Sequence, residues 1–206
     1  MRIINPSYEI VSEIEKDKIL KNIETIGRTC YKSENKITTD SFYRFIEMLL
    51  SNGHESVLEH EKISVKFICD RGVSHEIVRH RLASFSQEST RYCNYSNNKF
   101  NNELTVIDIR SFMDDDQCEQ WLEMMGICED MYFTLINRGC SPQIARSVLP
   151  NSLKTEIVVT ANIREWRTIF KQRTSMSAHP QMRQLMIPLL EELKSKLPIL
   201  FDDINY

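Results

Sequence analysis

Glycine is scarce in this chain, with five among 206 residues. None is spaced as a phosphate-cradling loop, so both a Walker-type loop and a Gly-x-Gly-x-x-Gly dinucleotide fingerprint are missing. Long apolar runs are missing too. No stretch approaches the ~20 residues that span a bilayer, and the opening Met-Arg-Ile-Ile-Asn-Pro lacks the apolar core of a signal peptide. The six cysteines (30, 69, 93, 118, 128 and 140) include no CxxC pair, which weakens zinc and thioredoxin-type readings. A reduced, cytoplasmic protein is expected, with its cysteines mostly small core residues. Strong charge of either sign is also absent. A net charge of −3 gives no global attraction to nucleic acid or anionic membrane, so any polyanion site must be a local cluster of basic residues.

What is present is ordinary globular material, 41% hydrophobic and 27% charged, long enough to bury a core as one domain over residues 1–206. Helical spacing predicts a helix from Lys16 to about Tyr31 and a second opening at Thr39 or Asp40 and stopping near Gly53. Residues 63–67 alternate as a strand, Asp70-Arg71-Gly72 reads as a turn, and 73–81 return to helical character. Residues 94–102 are Asn-rich and read as loop or irregular strand, and Leu104–Ile109 as a short strand. A long helix is expected over 114–137, with acids at its positive end. A shorter one opens at Ser141-Pro142 and ends at Pro150. A β-branched strand over 156–160, a helix over 162–173 and an apolar stripe from Met182 to Leu197 complete the chain. The strands are few and show no βαβ alternation. The expected fold is therefore α+β: a small, mostly antiparallel sheet flanked by several long helices.

The chemistry concentrates in residues 79–91, Arg-His-Arg-Leu-Ala-Ser-Phe-Ser-Gln-Glu-Ser-Thr-Arg. Arginine is a permanently charged planar fork that grips phosphate in bidentate fashion, and hydroxyls and backbone N–H groups complete such a site. From composition alone, a nucleotide-phosphate site and a solvated helix end are equally open, because cations also favour the negative end of a helix. Only the anion site calls for the hydroxyl-rich segment that follows.

The order Arg79-His80-Arg81, seven residues, Ser89, with Arg91 after it, resembles the signature of the flavin-dependent thymidylate synthases. Three further blocks resemble that family in the same order: His54-Glu55-Ser56-Val57-Leu58-Glu59-His60, Ile144-Ala145-Arg146-Ser147-Val148-Leu149-Pro150, and Asn162-Ile163-Arg164 followed by Arg173. The resemblance implies an enzyme that methylates dUMP to dTMP. Methylenetetrahydrofolate would give the carbon, FAD would carry the hydride and NADPH would be the reductant. It also implies a homotetramer with active sites shared between subunits, and neither nucleic acid nor membrane as partner.

By the same resemblance, FAD would be held by His54, Ser56, Arg79, His80, Arg81, Gln87, Asn162, Ile163, Arg164 and Thr168. The nucleotide would meet Glu76, Arg79, Gln87, Glu88, Ser89, Thr90, Arg91, Arg146 and Arg173. Arg173 would be the catalytic residue, stabilising charge that develops on the uracil ring. Several positions depart from the family's habit. Gln87 stands where Glu is common, Glu76 where Gln is, Thr168 where Asn or His is, and His179 is followed by Pro180 where a Gln-Trp pair is frequent. Ser89 could be a nucleophile with His80 as base, but flavin chemistry favours it as a nucleotide ligand. His54 and His60 lack both the i, i+4 spacing and a third partner, so no metal is expected. The competing readings are a nucleic-acid module using the 141–150 helix and a hydrolase using Ser89 and His80.

Overall fold

In the computed structural model of the chain, residues 1–97 and 100–206 are described. The first helix, α1 (Lys16–Tyr31), has the expected bounds, with Ile19, Leu20, Ile23 and Gly27 on its buried side. Gly27 permits a close approach, since a Cβ there would lie 2.5 Å from the Phe45 ring. The second helix, α2 (Phe42–Ser51), begins later than Thr39 or Asp40. Ser41 could cap it, but its hydroxyl donates to Glu24 Oε2 (2.9 Å) and accepts from Thr38 N (2.8 Å). Glu24 is buried, and a buried carboxylate costs more unsatisfied than a helix N–H that water can reach. Beyond this helix Gly53 adopts φ +68, the left-handed conformation expected of a stop.

The strand expected over 63–67 extends as β3 (Lys62–Asp70), counting β1 (Arg2–Ile4) and β2 (Ser7–Ile10) before it. Asp70-Arg71-Gly72 is not a turn. The Asp70 carboxylate accepts from Val73 N at 2.6 Å and caps α3 (Arg71–Ile77). This helix stops at Ile77, so Arg79-His80-Arg81 is not helical. It links α3 to β4 (Ala83–Gln87), a strand with no counterpart in the sequence reading. The serine-rich run has little strand propensity of its own; its pairing comes from β6 (Lys154–Asn162) in an antiparallel four-stranded sheet of order β2-β3-β6-β4. A separate parallel pair joins β1 to β5 (Thr105–Ile107).

The long helix α4 (Asp115–Asn137) is opened by a reciprocal capping box between Asp114 and Gln117. By contrast α5 (Pro142–Ala145) has only four residues and passes into a 3-10 turn, Arg146–Val148, which stops two residues before Pro150. The chain finishes with α6 (Ile163–Arg173), α7 (Pro180–Lys196) and α8 (Pro198–Phe201). In the Asn-rich segment, residues 94–97 and 100–102 are irregular as expected, with Asn101 and Asn102 at positive φ. Asn98 and Lys99 lie outside the described residues. The mixture of helices with a small antiparallel sheet is the α+β class read from the sequence.

Contacts divide the chain into two units. The first holds Met1–Ser7, Phe67–Arg79 and Phe85–Val158; the second holds Tyr8–Lys66, His80–Ser84 and Val159–Tyr206. In the first, Tyr95, Leu104, Tyr132, Ala145 and Leu153 form a core cluster, and Tyr132 OH accepts from Tyr95 N. In the second, Trp166 stacks on Phe170 with centroids 5.6 Å apart, Phe170 meets Phe201 edge-on, and Trp166 Nε1 donates to Ile63 O. The cysteines are not mostly core. Only Cys69 is buried, its thiol pushed up to about 12 by burial and by the Asp70 charge. Cys30 is exposed, and the other four are partly so.

Candidate active site

In the second unit, His80 is buried while Arg81 is exposed. Its Nε2 accepts from Arg173 Nε at 2.9 Å, and its Nδ1 faces Glu165 Oε1 at 3.5 Å. An arginine N–H can only donate, so Nε2 must carry the lone pair and Nδ1 the proton. Burial, together with the Arg173 charge, lowers the imidazole to about 4, so it is neutral near pH 7. Burial also pushes the Glu165 carboxyl up. Asn162 caps α6 by accepting from Glu165 N at 2.8 Å, and Ile163 after it is fully buried.

Three arginines of α6 have different surroundings. Arg164 is exposed and pairs with Glu59 at 2.6 Å. Arg167 is buried, donating to Glu55, to the Leu200 carbonyl and to both oxygens of Asp203. Arg173 is the partner of His80. Thr168 turns its hydroxyl back onto Arg164 O (3.2 Å). Nearby, His54 Nδ1 lies 2.9 Å from Tyr31 OH. Both line an open pocket of about 310 Å³ with Ser56, Val57, Leu49 and Arg164. His60 closes the 3-10 turn Glu55–His60, and among the described residues no three His, Cys, Asp or Glu side chains gather as metal ligands.

The first unit holds the other candidates. Arg79 is exposed just beyond α3, and Glu76 sits in its last turn, partly buried. Gln87 Nε2 donates to Ser74 Oγ (2.8 Å) and Thr155 Oγ1 (3.2 Å). Glu88 accepts from Tyr95 OH and from Lys154 Nζ at 2.9 Å. Past the end of β4, Ser89 Oγ accepts from Arg91 N at 3.3 Å, and Ser89 O from Cys93 N, forming a compact turn. Arg91 is exposed, its guanidinium 5.3 Å from the Tyr92 ring centroid. Arg146 Nη1 donates to Thr90 Oγ1 at 3.4 Å, which brings two sequence blocks 56 residues apart into contact.

The sequence reading missed Glu165, Arg167 and Tyr31. Glu165 carried a signal, because Asn162-x-x-Glu165 spells a capping box and so draws attention to the carboxylate. Nothing in the pattern distinguished Arg167 from its neighbours on α6.

A family model described as "Thymidylate synthase complementing protein" matches residues 11–199. Curated relatives include the flavin-dependent thymidylate synthase of Geobacter sulfurreducens, 32% identical over 86% of this chain and 78% of that protein. That of Pyrococcus furiosus is 33% identical over 87% and 71%. That of Corynebacterium aurimucosum is 32% identical over 89% and 79%. Every candidate residue above falls inside the matched span.

Proposed function

Because the chain belongs to the thymidylate synthase complementing protein family, whose relatives above are flavin-dependent thymidylate synthases, we propose that it converts dUMP to dTMP with methylenetetrahydrofolate as carbon donor and NADPH as reductant. The observation that carries this reading is the contact between Arg173 and His80. It joins His80, from the Arg79-His80-Arg81 block, to Arg173, which closes the Asn162…Arg173 block, inside the second unit.

The donor chemistry of the second unit suits a flavin dinucleotide. A guanidinium (Arg164), an imidazole (His54) and a hydroxyl (Ser56) line one open pocket, and the exposed Arg81 adds a second cation of the kind a pyrophosphate needs. Held by these residues, FAD would supply the hydride chemistry of the reduction. The remaining work belongs to the chain. The Ser89–Arg91 turn and Arg146 present hydroxyls and two exposed guanidinia to the nucleotide's phosphate. Gln87 and Glu88 are held in place by Ser74, Thr155, Tyr95 and Lys154, so they offer pre-ordered groups to the same ligand. Arg173 stabilises the charge that builds on the uracil ring as its carbon becomes nucleophilic. A single preorganised donor of this kind lowers the barrier by about 2.7–4 kcal/mol.

Ser89 acts as a ligand and not as a nucleophile. Its hydroxyl accepts from Arg91 N, and both ring nitrogens of His80 are engaged by Arg173 and Glu165, which leaves no imidazole lone pair to serve as base. The four-residue α5 is too short for a recognition helix, which disfavours the nucleic-acid reading. Met124, Ile127 and Met131 expose an apolar stripe on α4 that supports assembly with further copies, and the homotetramer is proposed on that ground. Free thiols at all six cysteines suit a cytoplasmic setting.

Purified protein should be yellow, or become so with added FAD, and anaerobic NADPH should bleach it. A colourless preparation that takes up no FAD contradicts the reading, and flavin that NADPH cannot bleach contradicts the choice of reductant.

A further inference from the structure

His80, from the link between α3 and β4, packs against two residues of α6, Glu165 and Arg173. Glu165 and Arg173 are eight residues apart on one helix, or about 12 Å along its axis. Helical side chains lean back toward the N-terminus, so the long Arg173 side chain reaches toward Glu165. His80 fills the interval. One ring nitrogen faces the carboxyl at 3.5 Å and the other accepts from Arg173 Nε at 2.9 Å. His80 and Glu165 are 6% and 7% exposed, so water cannot readily replace either partner.

We propose that Glu165 and His80 are positioning residues for the activating arginine: Glu165 holds the imidazole proton on Nδ1, and the Nε2 lone pair then fixes Arg173 by its Nε–H. This proposal rests on the reading of Arg173 as the group that acts on the uracil ring. A guanidinium is planar, so tying down Nε sets the plane and directs the Nη1/Nη2 edge away from the imidazole. The bond orients the guanidinium without cancelling its charge, because neutral imidazole is the acceptor. A carboxylate at the same point would orient Arg173 equally well but would offset the charge the chemistry needs. A protonated imidazole would offer no lone pair and would set cation against cation. Burial and the Arg173 charge both oppose that protonation, which keeps the acceptor available at neutral pH.

The test uses the full-length, FAD-loaded enzyme and tritium release from labelled dUMP. His80→Gln puts an amide oxygen near the place of Nε2, whereas the shorter His80→Asn retains a polar amide but cannot reach Arg173. The expected kcat of His80→Gln is within about 5-fold of the parent, and that of His80→Asn is about 10–100-fold lower. Flavin absorbance per chain and the calorimetric dissociation constant for dUMP should shift less than about 3-fold in both. Glu165→Gln, which loosens control of the tautomer, should lower kcat about 3–10-fold. In an Arg173→Ala background, His80→Asn should change kcat by less than about 3-fold, because the residue it positions is gone.

Equal losses from His80→Asn in both backgrounds, or equal losses for Gln and Asn, would overturn the proposal and make His80 a flavin ligand or a packing residue. Full activity of His80→Asn would overturn it too, as would failure of both His80 variants to fold or load flavin. Unimpaired turnover of Arg173→Ala alone would sink the underlying reading instead, and that result is separate from the others.

Discussion

Midway along α6, Arg167 is buried against carboxylates from two distant segments; six residues on, Arg173 meets an imidazole. The first arrangement neutralises a buried cation and fastens α6 to Glu55 and Asp203. The Arg167 charge holds the Asp203 carboxyl below its ordinary range through its hydrogen bonds. The second orients a cation through a bond to a neutral ring nitrogen. The same side chain on the same helix thus fastens the fold at Arg167, through carboxylates, and at Arg173 is oriented by an imidazole nitrogen. Arg164, exposed and paired with Glu59, is a third case in which water screens the pair.

Substitutions along α6 separate the two roles. The largest effect expected is from Arg173→Ala, a loss of about 10²–10³ in kcat with the melting temperature close to the parent's, read by tritium release and thermal denaturation. Arg167→Ala should reverse that pattern. Removing one partner of a buried pair costs about 3 kcal/mol here, the low end of the usual range because Asp203 reaches solvent. That corresponds to a fall of about 6–12 °C in melting temperature, with residual kcat per folded, flavin-loaded chain largely retained. If Arg167→Ala abolished kcat in well-folded protein, the division between the two arginines would fail.

Acid should expose the His80 end next. The folded imidazole is lowered to about 4 from an ordinary 6.5, so the unfolded chain binds more protons between those values. The stability held by neutral His80 is present above about pH 6.5 and declines as pH falls toward 4. The chemical denaturation midpoint of the parent should therefore drop across that window more steeply than that of His80→Gln, which has nothing to titrate there. The smallest effect is expected from Glu59→Ala. Losing the exposed Arg164 pair should change unfolding free energy by no more than about 1 kcal/mol in denaturant titration.

Much of this was legible in the sequence. The apolar period of residues 16–31 gave α1 its observed bounds, and the Asp114 and Asn162 caps opened α4 and α6 where expected. Residues 79–81 were misplaced onto a helix because α3 has apolar spacing up to Ile77 and nothing local marks its end. The strand after it is made by pairing with β6, which no local pattern reveals. The segment 70–72 reads as a turn by composition but carries a cap, since aspartate serves both purposes. The four ordered blocks located the candidate residues. They did not reveal that His80 faces Arg173, because two residues 93 positions apart are brought together only by the fold.

Tritium release from labelled dUMP, with FAD, NADPH and methylenetetrahydrofolate each omitted in turn, tests whether this chain works as a flavin-dependent thymidylate synthase. The expected result is release that depends on dUMP and FAD and ends in dTMP only when the folate is present. Tritium release and dTMP formation that continue undiminished in flavin-free protein, or no dTMP from the fully loaded enzyme, would contradict it.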